Sequence, residues 1–156
     1  MADSFSLEPI KMQMLVAAQE LRECNDFTLQ YGLRLSENQI QNIVEKRARA
    51  LKDSGRVEFG EGILKKLIQA FADSPYISQD DYEFIIIDLQ DAFYYFKNES
   101  EDKISDDELI EFMKRVFDEK AQGSLDFLFS LSLEELCRYT RYGYKPEDED
   151  RPDQYE

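Results

Sequence analysis

The residues whose types and spacing come closest to a chemical site lie in one acidic stretch, Lys97 to Glu108. Taken as a twelve-residue loop, it resembles the calcium loop of an EF-hand, with Ile104 at the apolar eighth position and Glu108 at the closing twelfth. The first position, however, is a lysine where the ion needs a carboxylate, and the sixth is Asp102 where the turn needs glycine. The stretch therefore predicts an acidic loop between two helices. The alternative is a metal-dependent regulator or enzyme, of the calcium type, that uses residues 99–108.

The other candidate sites are weaker. Gly60 and Gly62 precede Lys65 and Lys66, as in a phosphate-binding loop before a helix, but no complete phosphate or dinucleotide motif is present. The paired carboxylates of the chain fall in first helical turns, where acidic side chains complement the helix dipole. The chain contains no histidine, which removes the usual general base at neutral pH and the commonest zinc ligand. We therefore predict a protein that is not an enzyme, and we assign it no metal and no cofactor.

The composition limits the class of protein. With 156 residues, 42% of them hydrophobic, the chain is long enough to bury one core, and we expect a single helical domain over residues 1–143. The net charge of −15 disfavours binding to nucleic acid or to an anionic membrane surface. The longest apolar run, Ile85 to Ile87, is too short to cross a membrane. Because the chain starts without a signal-peptide pattern and Cys24 and Cys137 form no paired motif, we expect a cytoplasmic protein with reduced thiols.

The last segment differs from the rest in composition. From Tyr144 to Glu156 the chain reads YKPEDEDRPDQYE, with two prolines, mostly charged residues and few side chains to bury. We predict an acidic disordered tail over residues 144–156, which the domain does not need in order to fold.

Four helix starts follow one pattern. In each, a serine follows an apolar residue and precedes a Gln, Asp or Glu by three positions, so that a capping box and a hydrophobic staple can form. The four serines are Ser36, Ser78, Ser105 and Ser132. Apolar residues at helical spacing predict further helices between Leu7 and Cys24 and from Ile63 to Phe71. Together these elements predict an all-α fold, a single compact bundle of about six helices.

The most aromatic of these helices is predicted between Ser78 and Glu99. Seven apolar residues recur there at helical spacing and form one stripe that should face the core. They are Tyr82, Ile85, Ile86, Leu89, Ala92, Phe93 and Phe96. Four more, Phe84, Ile87, Tyr94 and Tyr95, fall on roughly the opposite side. We expect the C-terminal helices to cover this second side or, where they do not, a partner protein to bind it.

A row of basic residues marks the outward side of the second helix. Lys46, Arg49, Lys52 and Arg56 follow one another at steps of three and four residues in a strongly acidic chain. Complementary charge favours an acidic partner surface, either on another protein or on a second copy in a homodimer. The alternative is a solvated helix face whose charges are balanced by neighbouring side chains.

Three stretches, GRVEFGEGILKKLI, DSPYISQDDYE and FYYFKNESEDKISDDELIEFM, resemble a family of small bacterial proteins known as a domain of unknown function. The resemblance extends roughly from Leu21 to Asp118. It implies a bacterial, cytoplasmic protein and supplies no activity, cofactor or site residue. The leading hypothesis from the sequence is therefore a protein-interaction module.

Overall fold

The computed structural model describes residues 2–58 and 62–141, and side chains over residues 11–58 and 62–138. Within these ranges the secondary structure is helical and contains no β-strand. The acidic tail predicted for residues 144–156 and the predicted domain boundary at residue 143 lie outside the described residues.

Seven α-helices follow one another along the described chain, in agreement with the predicted bundle of about six. They are α1 (Ala2–Thr28), α2 (Glu37–Ser54), α3 (Leu64–Phe71), α4 (Tyr82–Glu99), α5 (Asp106–Arg115), α6 (Leu125–Ser130) and α7 (Leu133–Arg141). A short 3₁₀ turn, Leu29–Tyr31, follows α1, and a π-helical turn, Val116–Lys120, continues α5. The predicted all-α architecture is thereby confirmed.

Helix α2 begins with the predicted capping box. The Ser36 hydroxyl accepts a hydrogen bond from the Gln39 amide at 3.2 Å, and the Gln39 side chain accepts one from the Ser36 amide at 2.8 Å. Ser132 forms the same reciprocal pair with the glutamate three positions on. Ser105 caps α5 by accepting from the amide three residues later. Three of the four predicted helix starts are therefore confirmed, since each satisfies an otherwise unpaired backbone donor.

The fourth predicted start is wrong, because the central helix begins at Tyr82 and not at Ser78. Residues 79–81 form a turn, in which the Asp81 amide donates to the Ser78 carbonyl at 3.1 Å. The Asp81 carboxylate contacts the Ser78 hydroxyl at 3.4 Å. An aspartate is one methylene shorter than the glutamate of a capping box, so the reciprocal bond to the serine amide is not made.

Helix α4 runs through the middle of the bundle. It packs against α2, α3, α5 and α6, while α1 packs against α2 and α3, and α7 packs against α5. All seven residues of the predicted stripe on α4, from Tyr82 to Phe96, are buried. The periodicity of α4 therefore identified correctly the side that faces the core.

A tight contact joins the connection after α5 to the connection before α4. Gly123 takes a φ of +87°, and its amide donates to the Phe117 carbonyl at 2.8 Å. Tyr76 lies directly over this glycine, since a Cβ at position 123 would be 2.5 Å from the Tyr76 Cβ. Only a residue without a side chain allows this approach.

Candidate functional site

Between α4 and α5, the ammonium group of Lys97 holds together the loop that resembles a calcium site. Lys97 is buried, with 7% of its surface exposed, and its Nζ forms an ion pair with Asp106 Oδ1 at 2.7 Å. The same Nζ donates to the Ile104 carbonyl at 2.5 Å. Asp102 takes a φ of 62°, at the position where a calcium loop uses glycine. The lysine thus supplies the positive charge that a metal ion supplies in a calcium loop.

We expect calcium at millimolar concentration to produce no saturable change in this protein. The Lys97 ammonium repels a divalent cation, and Glu108, which would be the closing ligand, contacts the Ser105 hydroxyl at 3.1 Å. Calorimetric titration together with circular dichroism measures this, with Glu108→Gln as the control. A saturable signal that is present in the wild type and lost in Glu108→Gln would establish the metal-dependent alternative.

A second buried ion pair lies where the chain leaves α2. Arg47 Nη2 and Glu58 Oε1 are 2.9 Å apart, and their side chains are 5% and 13% exposed. Gly62 packs on the pair, since a Cβ at this position would lie 2.5 Å from Glu58 Oε1. Tyr94 of α4 is buried, and this burial, followed by the nearby Glu58 charge, raises the pKa of its hydroxyl. Tyr94 is therefore an interior residue near a charged pair.

The charges around Gly62 do not favour the phosphate-binding alternative. A polar cavity of about 240 Å³ adjoins this glycine. Four charged side chains line it, namely Arg56, Glu58, Lys66 and Asp106. Arg56 pairs with Asp102 at 2.6 Å and Lys66 with Asp107 at 2.9 Å, while the two acids pair with Arg47 and Lys97 as described above. Both cations are already neutralised, so the described lining offers an anion no surplus positive charge. Gly60 lies outside the described residues.

The four residues predicted on the second side of α4 do not form one surface. Phe84 and Tyr95 are 61% and 48% exposed, whereas Tyr94 is buried and Ile87 packs half-buried against the core. At 100° per residue, Phe84 and Tyr95 lie about 20° apart around the helix axis, and the other two lie about 60° to 80° from Phe84. Helix α6 packs on α4 but leaves the two outer rings exposed. The expected cover is therefore partial.

On the exposed side of α4, two aromatic rings flank two carboxylates. We call the surface formed by Phe84, Asp88, Asp91 and Tyr95 the acidic strip. The first and last of these residues are about 16 Å apart along the helix axis. Partial burial raises the pKa of the Asp88 carboxyl, and the charge of Asp126 raises it further. Partial burial also raises the pKa of the Asp91 carboxyl, again with a contribution from neighbouring acids. The strip therefore holds incompletely solvated negative charge beside exposed rings.

The four basic residues predicted to form one row on α2 lie in two different places in the structure. Arg49, Lys52 and Arg56 line a groove of about 750 Å³ beside α1, which we call the basic groove. Asp53 and the ion pair of Arg47 with Glu58 also line it, so the cations exceed the acids by two. Its apolar lining comes from Met14, Ala48, Leu51 and Val57. Lys46 is not part of this lining and lies close to Asp91, where its charge opposes the rise in the pKa of that carboxyl. Three of the four basic residues therefore meet in the groove, and the fourth lies at the edge of the acidic strip.

Sequence reasoning missed the apolar part of the basic groove. Met14 and Ala48 follow the helical spacing of the buried residues beside them, yet both are only half-buried and line the groove. Val57 is 68% exposed. It follows the end of α2, so helical spacing cannot predict whether its side chain is buried. Further exposed apolar side chains, Met12, Leu15 and Val16, lie on α1. In the sequence, the apolar part of the groove is indicated by nothing more than the large number of apolar residues on α1.

Comparison with known proteins identifies a family for this chain. The sequence model of a family described as a family of unknown function, DUF6323, matches residues 20–146. No curated protein and no solved structure matches the chain. Every helix in the described part of the chain is too short or too polar to pass through a lipid bilayer. The described residues contain no group of three His, Cys, Asp or Glu side chains that could hold a metal ion.

Proposed function

We propose that this chain, which belongs to the DUF6323 family of unknown function, is a non-enzymatic protein-interaction module of the bacterial cytoplasm. The observation that carries the proposal is the acidic strip, where Phe84 and Tyr95 stay exposed on a helix whose other aromatic side chains are buried. Tyrosine and phenylalanine are enriched in the buried centres of protein interfaces. The strip is therefore the part of the described surface best suited to bind another protein.

The chemistry of the acidic strip also indicates the kind of partner. Partial burial disfavours the charged forms of Asp88 and Asp91, so a nearby cation would stabilise both carboxylates. The faces of the Phe84 and Tyr95 rings attract lysine and arginine through cation–π interactions. A partner surface that combines basic and apolar side chains fits both requirements.

The ionisable groups support the non-enzymatic part of the proposal. Burial raises the pKa of the Cys24 thiol to about 11, so this group stays protonated at neutral pH and is a weak nucleophile. The buried Arg47 and Lys97 are each committed to an ion pair. Cys24 and Cys137 are both free and buried, which agrees with a reducing compartment.

Removing the two exposed rings should abolish binding. We expect a tagged Phe84→Ala/Tyr95→Ala chain to lose the proteins that co-purify with the wild type from its own host. Truncation of a hot-spot aromatic costs about 2 kcal/mol or more, which is roughly thirtyfold in affinity. Quantitative mass spectrometry of the captured proteins measures the loss.

The matched control is Phe27→Ala/Tyr31→Ala, which removes another exposed aromatic pair, at the end of α1, whose ring centroids are 5.7 Å apart. This variant should capture the same proteins as the wild type. Equal capture by the wild type and by the Phe84→Ala/Tyr95→Ala variant would show that the acidic strip is not the binding surface.

A further inference from the structure

The acidic strip and the basic groove carry opposite charge and both adjoin the same helix, α2. We infer that the acidic strip of one copy binds the basic groove of a second copy, and that the contact occurs twice in a closed, symmetric dimer. The inference rests on the proposed function, because it uses the same strip and names its partner as another copy of this chain.

The basic groove has the size and the lining to receive an aromatic side chain. Its volume of about 750 Å³ and its lining of Met14, Ala48, Leu51 and Val57 provide an apolar recess. At its edge, Arg49 and Lys52 are exposed and have no ion-pair partner among the described residues, unlike Arg56, which pairs with Asp102. A ligand that brings both a ring and carboxylates would pair the two free cations and fill the recess.

The acidic strip offers those groups in one row. Phe84 and Tyr95 provide rings, and Asp88 and Asp91 lie between them on the same side of α4. Partial burial, followed by the charge of neighbouring acids, disfavours the ionised forms of Asp88 and Asp91. Cations from a second chain would relieve this repulsion and so favour the contact.

The position of α2 explains why the contact can occur twice. On one side of this helix, Lys46 and Asp53 lie near Asp91 of the strip. Asp53 also lines the groove, together with Arg49 and Lys52, so the strip and the groove meet along α2. A two-fold axis that passes over α2 would place each copy's strip against the other copy's groove. Such an interface is self-complementary and closes after two chains, so it produces a dimer and not a filament.

Charge reversal tests the pairing directly. We expect the purified wild-type chain to sediment as a dimer at physiological ionic strength, where screening shortens the repulsion between two acidic chains. Arg49→Glu/Lys52→Glu should reverse the groove, and Asp88→Lys/Asp91→Lys should reverse the strip. Each variant alone should sediment as a monomer, with self-association weakened at least about tenfold.

An equimolar mixture of the two variants gives the decisive result. In a mixed pair, one contact is native and the other joins an acidic groove to a basic strip, so both are complementary again. The mixture should therefore regain the dimer mass, although neither variant dimerises alone. The control Glu111→Lys/Glu119→Lys changes two exposed acids outside both surfaces and should leave the dimer intact. Circular dichroism and the unfolding midpoint establish that each variant is folded.

Three results would each overturn the inference: a wild-type chain that stays monomeric at every concentration, reversed variants that still dimerise, or folded variants whose mixture remains monomeric. None of these would contradict the proposed function, which is decided by capture of other proteins through Phe84 and Tyr95. Conversely, capture of other proteins without a dimer would support the proposed function and reject the second copy as partner.

Discussion

Arg47→Leu is expected to lower the free energy of unfolding by about 3 to 5 kcal/mol, because it leaves the Glu58 carboxylate buried without its partner. The two side chains are 5% and 13% exposed and their atoms are 2.9 Å apart. Gly62 and Tyr94 lie against the pair, so the Glu58 carboxylate would stay largely buried without the guanidinium. For a domain of this size the loss corresponds to a fall of about 10 °C in the unfolding midpoint.

Two further variants decide whether the isolated charge is the cause. Arg47→Leu/Glu58→Leu removes both charges and should recover much of the loss, since no unpaired ion remains. Arg22→Leu breaks the ion pair with Glu37, which is also 2.9 Å long but has side chains 42% and 68% exposed, and should have a far smaller effect. Equal midpoints for Arg47→Leu and Arg22→Leu would refute the explanation.

Gly123→Ala is expected to cost about 2 to 4 kcal/mol. The positive φ of 87° strains any residue with a Cβ by about 1 kcal/mol or more. The new methyl group would also lie 2.5 Å from the Tyr76 Cβ, and overpacking of this kind commonly costs about 1 to 3 kcal/mol. Chemical denaturation of the purified variant measures the sum.

Gly55→Ala separates the two contributions. Gly55 has a similar φ of 69°, but a Cβ there would meet no atom within 4 Å, so this variant shows the backbone strain alone. Tyr76→Gly removes the clashing Cβ and should suppress the extra cost of Gly123→Ala in a double-mutant cycle. Tyr76→Ala keeps that atom and should suppress it much less. If Gly55→Ala and Gly123→Ala cost the same, the Tyr76 contact is not significant.

Local patterns predicted the helices well, because the groups that cap a helix are close in sequence. Ser36 and Gln39 satisfy each other's backbone amides within one turn. The same rule failed at Ser78, where Asp81 is too short. It also missed Ser124, which caps α6 by accepting from the Phe127 amide at 3.1 Å, since residue 127 is not a glutamate or glutamine. Caps that use only one of the two bonds leave a weaker trace in the sequence.

The candidate surfaces were less predictable, because they depend on contacts between distant residues. Tyr94 and Tyr95 are neighbours with similar chemistry, and periodicity assigned both to the second side of α4. Only the chain around Glu58, which follows another helix, decides that Tyr94 is buried while its neighbour stays exposed. The basic groove likewise requires α1 and α2 to pack side by side. A row of cations can be identified from spacing, but the recess beside it cannot.

Ion pairs and hydrogen bonds between residues distant in sequence also determine which basic side chains remain available to bind a partner. Spacing alone treats Arg49 and Arg56 as equivalent members of one row. In the structure Arg56 donates to both Asn98 and Asp102 at 2.6 Å, residues more than forty positions away. It therefore contributes to the packing of α2 against the end of α4, and less of its charge is free for a partner.

The buried ammonium of Lys97 makes the structure of the α4–α5 connection independent of the concentration of free metal ions. In a calcium sensor, the arrangement of the two flanking helices follows the free concentration of the ion. Here the cation is covalently part of the chain, so it cannot dissociate, be diluted or be removed by a chelator. The arrangement of α4 and α5 therefore corresponds to the ion-bound state of a calcium sensor and does not switch to a second, ion-free state. A covalent change to the amine, such as acetylation, would remove the charge.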